Sequence, residues 1–413
     1  MSGYLFTNAR ILNGTGAQPC TGCVHVDNGR IQAIYEDQAP SGLNAEVIDC
    51  RGDTLMPGLI ESHGHLTFGD TASLEALGEI PPEEHTILSM KNARTMLDQG
   101  FTSVNSAAAA KPRLDVVLRN AIAAGDCVGP RMLAASPELT VTGGLGDVRL
   151  SHLHRETFAI VCDGPDEFRR VAREMVREGV DTLKINPSGD EFVPVARAHQ
   201  TVMNEAEIDA VCEVARSRDK RVAAHCRSAD SVKLCVKHGV EIIYHATLCD
   251  DEALAALEAA RDRVFIAPTI GITLATLYEA SPWGITTEVA EGMGMKAELD
   301  RAIPNMKSLK KAGVRILPGG DYGFAWNPIG TNARDLEHFV THLGFTPMEA
   351  IESASRLGGE IMMRGHEIGL IKKGYIADLL LVEGDPLIDV SVLQDAARLR
   401  VIMKEGKIHK QVH

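Results

Sequence analysis

Between residues 83 and 355 of this 413-residue chain, apolar positions alternate between two periods. Spacings of three and four predict helices over 83–99, 114–124, 165–178, 204–218, 228–237, 251–260, 289–312, 334–343 and 346–355. Short apolar runs at 103–105, 131–135, 182–185, 222–225, 242–245, 264–267 and 316–319 lie between them and predict strands. With the run that opens at Leu55, these make eight β units, most followed by a helix. Repeated βα units imply a parallel sheet covered by helices, and eight fit a closed (β/α)8 TIM-like barrel over 58–363. A doubly wound open sheet is the alternative, although no G-x-G-x-x-G follows an early strand.

Both ends of the chain read differently. The segments 4–6, 10–12, 23–26, 30–35 and 46–49 are short strands bounded by Gly, Asn, Asp or Pro. Asp27-Asn28-Gly29-Arg30 predicts a hairpin turn, because Asn-Gly tolerates positive φ. Near the close, 377–382 and 398–404 are strands followed by the turns Glu383-Gly384-Asp385-Pro386 and Glu405-Gly406-Lys407. Residues 1–57 and 364–413 are expected to pair into one small β-sandwich domain, with the α/β middle inserted between them.

A hydrophobic content of 45% and a charged content of 24% belong to an ordinary globular protein. The net charge of -14 argues against a nucleic-acid partner, which wants a basic stripe, and against an anionic membrane surface. Aromatic residues make up 4%, too few to expect stacking platforms. The start shows no basic segment followed by an apolar one, so no signal peptide is read. No apolar run approaches the ~20 residues of a membrane helix. Nine irregularly spaced cysteines read as reduced, mostly buried thiols, and the expected location is cytoplasmic. Cys20-Thr21-Gly22-Cys23 has no second C-x-x-C to complete a zinc ribbon.

Candidate chemistry lies where the apolar runs end. Leu55-Met56-Pro57-Gly58-Leu59-Ile60-Glu61-Ser62-His63-Gly64-His65 closes on two histidines one residue apart. Side chains alternate along a strand, so His63 and His65 point the same way, and imidazole nitrogens suit zinc and its neighbours. Two surface histidines in a turn after Pro57-Gly58 are the competing reading. Lys184, His225, His245 and Asp321 stand at or just beyond later strands, at the end where barrel active sites are built. One strand-end histidine is more often structural; six such residues on one rim are hard to assign to structure. A buried Lys184 near cations loses its proton, and the neutral amine can take up carbon dioxide as a carbamate that bridges two cations. Its bland reading is a lysine snorkelling at the rim. Asp321 follows Gly319-Gly320, which let the backbone pass close to the site; it can contact a metal and take a proton from water, or cap a turn. Rim candidates for substrate contact are His152, His154, Arg227, Tyr322 and Trp326. Arg227 could meet an anion or sit solvated, and the two aromatics could wall an apolar pocket or pack under a loop.

In this order, Pro57-Gly58-Leu59-Ile60-Glu61-Ser62-His63-Gly64-His65, Lys184, Ala223-Ala224-His225, His245 and Gly320-Asp321 resemble the amidohydrolase superfamily. Lys373-Gly374-Tyr375-Ile376-Ala377-Asp378-Leu379 adds to a likeness that covers nearly the whole chain. The resemblance implies a deformed (β/α)8 barrel and a binuclear centre of two divalent ions, with zinc expected. His63 and His65 would hold the more buried metal, His225 and His245 the other, and carboxylated Lys184 would bridge them. Asp321 would ligate the buried metal and act as general acid/base. Hydroxide shared by the metals would attack a carbonyl, and Asp321 would pass the proton to the leaving nitrogen.

Within the superfamily the chain is similar to imidazolonepropionase-related hydrolases and Xaa-Pro or Xaa-Arg dipeptidases. Leu145 stands in Thr140-Val141-Thr142-Gly143-Gly144-Leu145-Gly146-Asp147 where that branch commonly has a histidine. No tyrosine occupies 201–203, where such dipeptidases often carry one. Both departures weaken the case for a free α-carboxylate and leave room for a less polar amide, anilide, urea or carbamate. A dipeptidase acting on N-acyl amino acids is the alternative, followed by a deaminase or cyclic amidase, against which Lys184 speaks. All six proposed ligands are present, which disfavours a non-catalytic scaffold. Large barrels of this kind often associate, so a homo-oligomer is expected.

Overall fold

Two sets of parallel strands carry the middle of the chain in this computed structural model, which describes residues 3–36, 38–153 and 155–412. Three strands pair in the order Leu59–Gly64, Phe101–Ser106, Arg131–Leu133. Seven pair in the order Ala159–Val161, Ala135–Thr140, Thr182–Ile185, Arg221–Ser228, Ile242–Leu248, Phe265–Ala267, Arg315–Ile316. Every ladder within both sets is parallel. All residues of Leu59–Gly64 and Arg221–Ser228 are buried, as parallel strands covered on both faces must be.

The helices between them start and stop where local chemistry dictates. Pro165–Glu178 begins on a proline, whose missing N–H costs nothing in a first turn, and ends at Gly179, left-handed at φ 100°. It buries Phe168, Val171, Ala172 and Met175 on one stripe. Glu205–Ser217 is opened by a capping box between Asn204 and Glu207. No helix among the described residues is long and apolar enough to cross a membrane.

Several elements differ from the pattern-based expectation. The run 131–135 divides: Arg131–Leu133 joins the three-stranded set and Ala135–Thr140 the seven-stranded one. The helix expected over 289–312 breaks at Gly294, φ 108°, into Thr287–Met293 and Met295–Lys311. Ile270–Tyr278 was not legible as a helix because it is buried on nearly every side and carries no amphipathic stripe. Of 316–319, only Ile316 pairs in a ladder; the Leu317 N–H still donates to the Ile266 carbonyl at 2.8 Å, and the chain then runs on toward Asp321.

The two chain ends build one eight-stranded sheet. Its order is Lys407–Gln411, Leu399–Lys404, Leu379–Val382, Thr54–Pro57, Gly3–Ile11, Cys20–Asp27, Arg30–Tyr35, with Ala45–Asp49 paired to Gly3–Ile11. The expected strands 4–6 and 10–12 are one strand, irregular in register around Asn8. Phe6, Ile11, Val24, Leu55, Leu379 and Val401 share a core drawn from both ends. Thr54–Pro57 pairs with Leu379–Val382 and leads through Gly58 into Leu59–Gly64, so this sheet anchors the strand that bears the histidines. The buried Arg131 ties the units further, reaching Asp378 at 2.6 Å and Glu405 at 2.9 Å.

Candidate active site

His63 and His65 leave the Leu59–Gly64 strand on the same side, as its two-residue period requires. Their Nε2 atoms stand 3.1 Å apart, and Asp321 Oδ1 lies 3.1 Å from His65 Nε2 and 3.4 Å from His63 Nε2. His65 Nδ1 donates to the Ala108 carbonyl at 3.3 Å, which leaves Nε2 as a lone-pair donor. Burial pushes the His63 imidazole well below its usual range, so it is held as a neutral lone-pair donor. The Asp321 carboxyl is held below the usual carboxylate range: burial alone would raise it, but His63, His65 and Lys184 facing it prevail. Ligands about 2.0–2.1 Å from a tetrahedral cation stand roughly 3.3 Å from each other. The three separations fit that edge, and three such donors facing one point suit a divalent metal better than they suit each other.

Lys184, His225 and His245 line the same cleft. Lys184 is 1% exposed, with Nζ 3.9 Å from Glu138 Oε1 and 4.8 Å above the Tyr244 ring. Burial lowers its ammonium below the usual lysine range. His225 Nε2 donates to the Gly189 carbonyl at 3.1 Å, leaving Nδ1 for a ligand. Burial, then the charge of Arg227, brings its imidazole down to about 3. His245 Nδ1 meets Thr269 Oγ1 at 2.5 Å, while its Nε2 is buried without a hydrogen-bond partner. The His225 and His245 rings lie 4.2 Å apart, and His63 and His245 5.7 Å apart. His245, Thr269 and Asp321 all hold positive φ, at 72°, 54° and 61°. Such conformations cost non-glycine residues energy and persist where surrounding contacts over-determine them.

Those contacts are visible behind Asp321. Ser62 Oγ donates to the Pro318 carbonyl at 2.5 Å, and Asn327 Nδ2 to the carbonyls of Gly320 and Asp321 at 2.9 and 3.0 Å. Asp335 accepts from the Gly319 N–H at 2.7 Å and from the Tyr322 hydroxyl at 3.0 Å. Glu61 accepts from the His63 N–H at 2.9 Å and from Asn332 Nδ2 at 2.7 Å. Burial, then the neighbouring charge of Asp335, pushes the Glu61 carboxyl up to about 8. Gly319 is held against the histidine strand so closely that an added Cβ would stand 2.6 Å from His63 Cβ. Gly319→Ala is therefore expected to cost about 1–3 kcal/mol by overpacking, read from the urea midpoint, and to displace His63 enough to lower activity.

The remaining rim candidates divide. Arg227 is 3% exposed: its Nε donates to Asp190 Oδ2 at 2.7 Å and its Nη1 to Glu298. The guanidinium is thus held by two carboxylates and is not solvated, although the residue also lines the inner cleft. Tyr322 faces Asp335 and packs in the interior instead of walling a pocket. Trp326 does line a cleft, next to the one holding the histidines. His152 is exposed, outside the lining of either cleft, and His154 lies outside the described residues. Glu138, absent from the candidates, lines the inner cleft beside Lys184, with its other oxygen accepting from Asn186 Nδ2 at 2.7 Å. Ser136-Pro137-Glu138 reads locally as a turn, and only the ladder that pairs Glu138 with Lys184 places it.

Parallel strands with polar side chains gathered beside their carboxyl ends define an α/β protein built around a histidine–aspartate cluster. The chain belongs to the amidohydrolase family, whose signature matches residues 54–409. Members are hydrolases of carbon–nitrogen bonds and are typically metal-dependent. Ochratoxinase of Aspergillus niger is 25% identical over 387 residues, 87% of this chain and 76% of that protein. Imidazolonepropionase of Chromobacterium violaceum is 21% identical over 405 residues, 90% of each. A Xaa-Pro dipeptidase crystallised with methionine in its active site is 26% identical, with a TM-score of 0.87 over 99% of this chain and 100% of its own.

Proposed function

We propose that this chain hydrolyses the carbon–nitrogen bond of a small amide, anilide, urea or carbamate at a centre of two divalent cations. The observation that carries the reading is the His63–His65–Asp321 cluster, whose donor separations fit a metal. His63, His65 and Asp321 would hold one ion, His225 and His245 the other, and Lys184 as its carbamate would bridge them. Bound divalent ions, zinc by preference, supply Lewis acidity toward the carbonyl and make water acidic near neutral pH.

The chain's own residues supply the rest. Asp321, ionised and held from behind by Asn327 and the Gly319–Asp335 contact, takes the proton of the attacking water and delivers it to the leaving nitrogen. Glu138 faces Lys184 across the ladder, its Oε1 3.9 Å from Nζ. Asp190 receives Arg227 and offsets its charge where both line the inner cleft. The architecture we infer is a closed (β/α)8 barrel over 58–363, with 1–57 and 364–413 as the β-sandwich domain. It is supported by parallel strands that neighbour one another largely in chain order and by the core that both ends share.

The dipeptidase neighbour favours a second reading, cleavage of N-acyl amino acids. Leu145 at the inner cleft and the committed Arg227 speak for a less polar substrate. A screen of N-acyl amino acids, dipeptides, anilides, phenylureas and carbamates tests both. Zinc-loaded protein is expected to release amine from at least one class, and chelated protein from none. Failure of the loaded protein on every class, or undiminished turnover after chelation, would overturn the proposal.

A further inference from the structure

The chain has only two tryptophans and ten phenylalanines, yet several gather on one side of the site. Phe68 stacks on His65 with ring centres 4.0 Å apart. Phe324 meets Phe68 edge-on at 6.0 Å, and Trp326 lies nearly parallel to Phe324 at 5.9 Å. Phe192 and Trp283 flank Trp326 at 6.0 and 6.2 Å. The series leads from an imidazole of the proposed metal centre to the surface, where Trp283 is 44% exposed. Its members come from segments far apart in the chain, so the fold assembles this wall.

The wall is not closed core. Phe192 and Phe324 are half-buried and line both the inner cleft and an adjoining outer cleft of about 420 Å³, on which Trp326 also opens. That volume is in the range of small-molecule sites. The Trp326 indole N–H donates to Thr276 Oγ1 at 3.0 Å, so the ring is fixed and its polar atom satisfied. Positive charge at the outer cleft is already answered among the described residues. Arg149 is held by Asp147 at 2.7 Å, and Arg155 lies 3.7 Å from both Glu75 and Glu79.

We infer that the outer cleft binds a neutral aryl group, so that the substrates are aryl amides and their anilide or phenylurea equivalents. The inference rests on the hydrolase reading above and names its substrate class. Stacking on Phe324 and Trp326 suits a planar ring, and a carboxylate on that ring would enter without a counter-charge.

Both tryptophans belong to the wall, so tryptophan emission reports on it directly, with or without turnover. Zinc-loaded protein would be titrated with acetanilide, with 4-acetamidobenzoate and with N-acetylglycine, and hydrolysis of each followed separately. Trp283→Phe assigns the signal to Trp326. Saturable quenching by acetanilide, weaker binding of 4-acetamidobenzoate and none by N-acetylglycine is the expected result. Trp326→Leu should raise KM for acetanilide roughly tenfold, the loss of about one aromatic pair, with a smaller change in kcat; Phe324→Leu gives the same readout should that variant not fold. Quenching absent with acetanilide, or equal binding of 4-acetamidobenzoate, would overturn the inference. Turnover of N-acetylglycine without an aryl preference would also overturn it, while leaving the hydrolase reading intact. Saturable acetanilide binding with no hydrolysis of any amide would sink the hydrolase reading and leave the aryl cleft standing.

Discussion

Asp321→Asn lowers kcat by about 10²–10⁴-fold, the range expected for loss of a positioned acid/base, while the fold remains native. Asparagine keeps the size of the side chain but neither its charge nor its proton affinity. The backbone at Asp321 stays anchored, because Asn327 binds its carbonyl and not its carboxylate. The carboxylate also lies 3.1 Å from His65 and 3.4 Å from His63, so bound metal should fall together with turnover. Activity, metal content by atomic absorption and the thermal midpoint are the three measurements needed. Activity within threefold of the parent, at unchanged metal content, would remove Asp321 from the chemistry.

Lys184→Met should lower activity by roughly 10²–10³-fold, comparable to losing a main electrostatic element of a site. Methionine nearly conserves volume in a position that is 1% exposed, so the effect reads chemistry more than packing. The case for a carbamate is that the amine is fully buried and its ammonium is disfavoured there. Among the described residues, the carboxylate in ion-pair range of it, Glu138, stands 3.9 Å away, too far for a hydrogen bond. Parent protein incubated with ¹³C-bicarbonate and zinc should show a carbamate carbon resonance that Lys184→Met lacks. Its absence from fully active parent protein would exclude the bridge while leaving the His63–His65–Asp321 cluster untouched.

Helix ends such as Leu114–Ala124 and Pro165–Glu178 match the periodicity residue for residue, because caps and stop signals are local. The break at Gly294 was hidden by an apolar period that continues across it. Arg227 illustrates a different limit. A charged residue two places after a histidine looks solvated until Glu298, 71 positions later, is seen to fold against it.

By itself, the sequence determined that His63 and His65 share a face, that Lys184, His225 and His245 lie on successive apolar strands, and that the two ends are β-rich. These are consequences of backbone period and turn chemistry, which act over a few residues. Only the tertiary structure decided that Glu138 faces Lys184, that Arg227 is held by two carboxylates, and that Phe68, Phe192, Phe324 and Trp326 form one wall. Each of those facts depends on which distant segments become neighbours, and neighbours are chosen by burial of the whole core, which no local pattern of apolar and polar residues encodes.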